Sequence, residues 1–122
     1  MMKWEVNETD TLYAIFLSLP QNETITIGAL GTFTFEKGDY VYIGSAKKNI
    51  ISRVERHAKV DKTKRWHLDY LRPYCTVTEI QSFPKGDGEC ALAASFAEKG
   101  TIPIKNFGSS DCRCGGHLIF LS

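Results

Sequence analysis

Asp39-Tyr40-Val41-Tyr42-Ile43-Gly44-Ser45 is the stretch on which the reading of this 122-residue chain turns. Lys37-Gly38 turns the chain into an aromatic and β-branched run from Asp39 to Ile43, which predicts a strand, and Gly44-Ser45 ends it. Upstream, Thr24-Ile25-Thr26-Ile27 and Thr32-Phe33-Thr34-Phe35 alternate around Gly28-Ala29-Leu30-Gly31. That pattern predicts a hairpin with threonines on one face and apolar side chains on the other. Thr11 to Leu19 reads as a further strand, rich in Tyr, Ile, Phe and Leu and closed by Pro20. The opening third is therefore expected to be a small antiparallel sheet.

Downstream, Ile50, Ile51, Val54 and Ala58 cluster on one side of a helix spanning Ile50 to Ala58. Arg53 and His57 share one edge of that helix, one turn apart, so they can act on the same target. A basic loop follows, then a short helix Trp66-His67-Leu68-Asp69-Tyr70-Leu71 expected to stop before Pro73. Thr76 to Phe83 is the next strand. Gly86-Asp87-Gly88 leads into a helix from about Glu89 to Lys99, closed by Gly100. The chain is loop-like through Gly116, and His117 to Leu121 forms a last strand. The expected fold is α+β, a small central, mostly antiparallel sheet flanked by helices, with residues 1–122 forming one domain.

A hydrophobic content of 43% suffices for one core at this length. Met1 to Asp10 is polar and acidic, with no basic segment leading into an apolar one, so no secretion signal is read there. The longest apolar stretch, Leu12 to Leu19, is too short to span a bilayer. These features point to a cytoplasmic protein without membrane attachment. Four cysteines in such a chain are expected to be reduced thiols or metal ligands.

The net charge of +1 hides an uneven distribution. Residues 1–39 carry two lysines against six carboxylates, whereas residues 47–65 carry eight basic side chains against two acidic ones. A basic stretch of this kind is the footprint expected of phosphate binding, and equally of a solvated helix and loop. Two further residues stand out. Glu89 falls in the apolar arc of its helix with Cys90, Leu92, Ala93 and Phe96, where a carboxylate must be paired, protonated or metal-bound; the alternative is that it complements the helix dipole. Tyr42 precedes Gly44, whose missing side chain lets another group approach the backbone closely.

Tyr42-Ile43-Gly44, then Arg53-x-x-x-His57, then a glutamate heading a helix resembles the GIY-YIG nuclease superfamily. Tyr40 to Ala46, Arg53 to His57, Trp66 to Leu71, Glu89-Cys90 and Phe107-Gly108-Ser109-Ser110-Asp111-Cys112 are more specifically similar to an uncharacterised prokaryotic branch, sometimes joined to an endonuclease III-type repair enzyme. The superfamily's first motif tyrosine matches Tyr13 in Thr11-Leu12-Tyr13, although the preceding glycine and isoleucine are absent. Gly38-Asp39-Tyr40 imitates that motif, but Tyr40 would then share a strand with Tyr42. Ser45 stands where some nucleases place a lysine.

The resemblance implies a divalent-metal-dependent endonuclease hydrolysing phosphodiester bonds in DNA, with DNA repair as its setting and a repair protein as a partner. Glu89 would hold Mg²⁺ or Mn²⁺, Arg53 would neutralise charge on the phosphoryl oxygens, Tyr42 would activate water with His57 as a relay, and Tyr13 would position the nucleophile. Lys47, Lys48, Arg56, Lys59, Lys62, Lys64 and Arg65 would grip the nucleic acid.

Two other readings compete. The chain could be a nucleic-acid-binding module that does not cut, with Trp66 and Tyr70 stacking on unpaired bases. It could instead be a zinc-binding structural domain on Cys112, Cys114 and His117, with Cys75 or Cys90 as fourth ligand. His67 and Asp69, two apart on a helix, point in different directions and would not chelate one ion together. DNA against RNA, substrate shape and oligomeric state are not encoded in any motif.

Overall fold

The computed structural model describes residues 3–27, 30–46, 50–58, 70–84, 88–101 and 117–121; within these, the side chains of Lys3, Trp4, His57, Ala58, Arg72, Glu89 and Cys90 lie outside the description. Its centre is an antiparallel pair, β2 (Leu12–Leu19) and β5 (Gly38–Ser45). Both contain near-continuous apolar runs, the signature of strands covered on two faces. Tyr40 through Gly44 are all buried. β6 (Thr76–Phe83) pairs antiparallel with the other side of β2, with a register shift between Phe16 and Leu17. β7 (Leu118–Phe120) pairs antiparallel with β5, and β1 (Lys3–Glu5) runs parallel along β6. The sheet order is β1-β6-β2-β5-β7. Three of the four strand pairings are antiparallel and, among the described residues, two α-helices flank the sheet, so the chain is a small α+β fold.

Alternation along the strands divides the core into two layers. Tyr13, Ile15, Leu17, Tyr40, Tyr42, Ile80 and Leu118 face one side and join Ile50 and Val54 of α1 (Ile50–Ala58). Ala14, Val41, Ile43 and Ile119 face the other and join Ala93 of α2 (Glu89–Ala97). Each fully buried aliphatic side chain in these layers contributes about 1.5–3 kcal/mol. Phe16 meets Phe96 of α2 edge-on, with centroids 5.9 Å apart. α2 is entered through Gly88, whose φ of 98° suits glycine, and no side chain caps the helix. The helix ends at Ala97, two residues short of the predicted end.

β5 also runs through Gly44-Ser45, which were expected to end it, and further features differ from expectation. β3 (Glu23–Ile27) and β4 (Gly31–Phe35) form the expected hairpin, with Thr24 and Thr26 hydrogen-bonded to Thr34 and Thr32 at 3.1 and 2.8 Å. It is nevertheless a separate two-stranded sheet, not part of the main one. Ile25, Ile27 and Phe35 are buried against the α1-side core, leaving β2 free to pair with β5 directly. The helical turn at Tyr70-Leu71 does not stop before Pro73 but tightens into a 3-10 turn, Arg72–Tyr74. Proline is tolerated there because an opening turn does not need its N–H. The edge strand β1 has no signature in the sequence, because three residues are too few to show a period.

Ile15, fully buried between two strands, should lose about 2–5 kcal/mol of stability on substitution to alanine in urea denaturation. Thr32→Ala, on the exposed hairpin face, should lose only about 0.2–1 kcal/mol. Equal losses would show that the two-layer packing does not dominate stability.

Candidate functional site

The register of β2 on β5 places Tyr13 directly opposite Gly44 and Ile15 opposite Tyr42. Tyr13 and Tyr42 are therefore diagonal neighbours on the α1 face, about 7–8 Å apart by sheet geometry. The Tyr13 ring lies across Gly44. A β-carbon at residue 44 would overlap the Tyr13 phenol oxygen and come within 2.6 Å of its Cε1. Glycine is required here by the tyrosine that covers it, not by the backbone angle. Both phenols are nearly closed to solvent, Tyr13 2% and Tyr42 4% exposed.

Arg53 reaches the same end of β5 from α1. Its Nη1 donates to the Ser45 carbonyl at 3.0 Å, which anchors the helix to the strand just beyond Gly44. The structure thus brings Tyr13, Tyr42 and Arg53 together around Gly44-Ser45. His57 lies one turn beyond Arg53 on α1, and its side chain is outside the described residues.

Glu89 comes from the opposite layer. β6 ends at Phe83, which pairs with Leu12, itself opposite Ser45. The far end of the α2 segment is fixed by Thr101, whose N–H and C=O pair with Phe120 at 2.9 and 2.7 Å, and Phe120 lies opposite Tyr40. α2 consequently runs from the Ser45 end of the sheet to the Tyr40 end, and its first residue, Glu89, starts at the end where Tyr13 covers Gly44 and Arg53 holds the Ser45 carbonyl. Leu92, Ala93 and Phe96 form the predicted inward arc; the side chain of Glu89 lies outside the described residues.

Tyr40 plays a different part. Its hydroxyl donates to the Glu36 carbonyl at 2.5 Å, and its ring packs between Phe35 and Phe120. Burial, reinforced by neighbouring Cys75 and Glu36, pushes its pKa up to about 12.

An open depression of about 600 Å³ borders the α1 face, lined by Glu5, Glu8, Asp10 and Ser82 among others. Ser82 is the partner of Tyr13 across β6. Its Oγ accepts from the Asn7 N–H at 2.7 Å and donates to Asp10 at 2.5 Å. No local sequence signal marks Ser82, because its role depends on register. Three carboxylates make this depression unfavourable to a phosphate.

Among the predicted nucleic-acid contacts, Arg56 is half-buried on α1, and Lys47, Lys48, Lys59, Lys62, Lys64 and Arg65 lie outside the described residues. So do Trp66, His67, Asp69, Cys112 and Cys114. Tyr70 packs partly against the α1-side core. Cys75 is buried, and so is His117. No group of three or more His, Cys, Asp or Glu suited to a metal ion occurs among the described residues. No helix among them is long and apolar enough to cross a membrane.

Fold and geometry together define a two-layered α+β domain with a tyrosine pair and an arginine gathered at one end of its central strand. The chain belongs to the family described as Domain of unknown function DUF123, which matches residues 12–122. Neither a curated protein nor a solved structure matches it.

Gly44→Ala should lose about 1–3 kcal/mol in denaturation because it forces the Tyr13 ring away. In a Tyr13→Ala background the same change should be far milder, a coupling of about 0.5–3 kcal/mol; strict additivity would show that the two residues do not interlock. The raised Tyr40 pKa has a signed consequence. The unfolded phenol releases its proton near 10.0 and the folded one near 12, so the stabilisation is whole below pH 10 and is lost as pH rises toward 12. Unfolding measured across that interval should show the decline in wild type and a flatter profile in Tyr40→Phe.

Proposed function

We propose that this chain is a divalent-metal-dependent endonuclease acting on DNA, a single domain of the GIY-YIG type. The observation that carries the proposal is the gathering of Tyr13, Tyr42 and Arg53 around Gly44-Ser45, with α2 opening at the same end of the sheet. The motif resemblance is supported by residues distant in sequence, and chemically suited to phosphoryl transfer, being placed at one end of β5.

Each residue then has a physical task. Arg53 offers a planar fork of five donors; the Ser45 carbonyl takes one, and the others would neutralise charge developing on phosphoryl oxygens. Tyr42 takes a proton from the attacking water, with His57 as the relay. A phenol near pKa 10 is a weak base at neutral pH, and adjacent cationic charge favours its phenolate. Tyr13, held across Gly44, positions the nucleophile. Glu89 is the carboxylate that would hold Mg²⁺ or Mn²⁺; a single hard oxygen ligand fits an ion that keeps most of its waters. When bound, that ion supplies Lewis-acid polarisation of the scissile phosphate and stabilises the leaving oxygen. The basic side chains from Lys47 to Arg65 grip the flanking phosphates, while the acidic depression at Glu5, Glu8 and Asp10 keeps the nucleic acid off that border.

One observation favours a second reading, a nucleic-acid-binding module without cutting activity: the near-complete burial of Tyr13 and Tyr42, which a substrate would have to relieve.

Purified protein is expected to cut at least one of branched, flapped, single-stranded or duplex DNA with Mg²⁺ or Mn²⁺. Glu89→Ala, Tyr42→Phe and Arg53→Ala should each lower the rate by roughly 100-fold or more while leaving the fold intact by circular dichroism. Salt-sensitive binding without cleavage would select the second reading, and a fully active Glu89→Ala variant would remove Glu89 from the mechanism.

A further inference from the structure

His117 has no role in the proposed chemistry, yet it is 1% exposed and is the one buried charged or polar side chain recorded among the described residues. Its backbone explains where it stands. The pairs Tyr40 with Phe120, Val41 with Ile119 and Tyr42 with Leu118 continue to Ile43 with His117, and the Ile43 N–H donates to the His117 carbonyl at 2.9 Å. Residues directly opposite one another in an antiparallel pair share a face. Tyr42 and Leu118 both face α1, whereas Val41, Ile119 and Ile43 all face α2. His117, opposite Ile43, therefore belongs to the α2 face, at the Gly44 end of the sheet.

That face is covered by α2. Ala93 packs with Ile43 and Ile119, and Glu89 precedes Ala93 by one turn at the same end of the sheet. Resting on the nuclease reading above, we infer that His117 is a positioning residue for the metal-holding carboxylate of Glu89. A neutral imidazole has one N–H donor, and donation to one carboxylate oxygen fixes the orientation of the other. Partners of this kind, behind a metal ligand, commonly change metal affinity by about 10–100-fold when removed. Burial also suits the task, because a dry environment strengthens a hydrogen bond to a charged acceptor.

The test is Mn²⁺ binding by the full 122-residue chain, followed by the loss of the free-ion electron paramagnetic resonance signal, without any nucleic acid or turnover. Wild type should bind, Glu89→Gln should not, and His117→Ala should bind about 10–100-fold more weakly with a cooperative melt retained. His117→Gln, which keeps an N–H donor, should recover part of the lost affinity, a rescue that core packing alone would not produce. If folded His117 variants bind Mn²⁺ as wild type does, or if every His117 variant unfolds, His117 is a core residue and the inference falls while the nuclease reading stands. A nitrogen coupling from His117 in the spin-echo spectrum of bound Mn²⁺ would make it a direct ligand and overturn the positioning role. Wild type that fails to bind Mn²⁺, or Glu89→Gln that binds it undiminished, removes the metal reading itself and the inference with it.

Discussion

The pairing of β2 with β5 fixes eight residue pairs, from Leu12 with Ser45 to Leu19 with Gly38, and its register decides what every neighbouring element meets. Sheet side chains alternate, so a slip of one residue would exchange the α1 layer for the α2 layer along a whole strand. Tyr13 over Gly44 locks that register: only glycine leaves room for the ring, and any neighbouring residue of β5 in its place would present a side chain to it. The same contact that holds the two strands in step lays a phenol over Gly44, one residue from the Ser45 carbonyl that Arg53 holds, so structural specificity and the candidate chemistry rest on one stretch of β5.

The two-layer arrangement explains how the proposed site would draw on residues distant in sequence. Arg53 comes from the helix on one face, Tyr13 and Tyr42 from the sheet, and Glu89 from the helix on the other face, all at the Ser45 end. Gathering them at an end rather than over the middle of a face leaves the sheet interior to be packed apolar, as Ile15, Ile43, Ile80 and Ile119 are. Tyr40, only two residues before Tyr42 and on the same side of the strand, is drawn instead into the other end of the core by Glu36, Phe35 and Phe120.

Much of this was legible in the chain itself where the signal is local. α1 and β6 have their predicted bounds because helical spacing and β-branched alternation are properties of consecutive residues. Which strands pair is not local, so the hairpin's separation into its own sheet and the parallel docking of β1 on β6 carried no sequence signature. The choice between Tyr13 and Tyr40 as the first motif tyrosine could be argued from strand placement, and the register puts Tyr13 across from Gly44. Ser82 and the facing of His117 were beyond reach for the same reason: each acquires its meaning only from the residue opposite it. Glu89 is conspicuous in the sequence as a carboxylate in an apolar arc, but the layer it belongs to follows only from the crossing of α2 over β5.

The family match begins at residue 12, after β1. In this chain Lys3–Glu5 lie along Glu79, Ile80 and Gln81 and occupy the outer hydrogen-bonding groups of β6. A fragment trimmed to the matched span would retain both helices and the tyrosine-bearing strands, yet it would bare a raw sheet border beside Ile80. Such borders recruit strands from neighbouring copies. The short leading strand thus acts as a selvedge, taking up the outer backbone groups of β6 that would otherwise form that border.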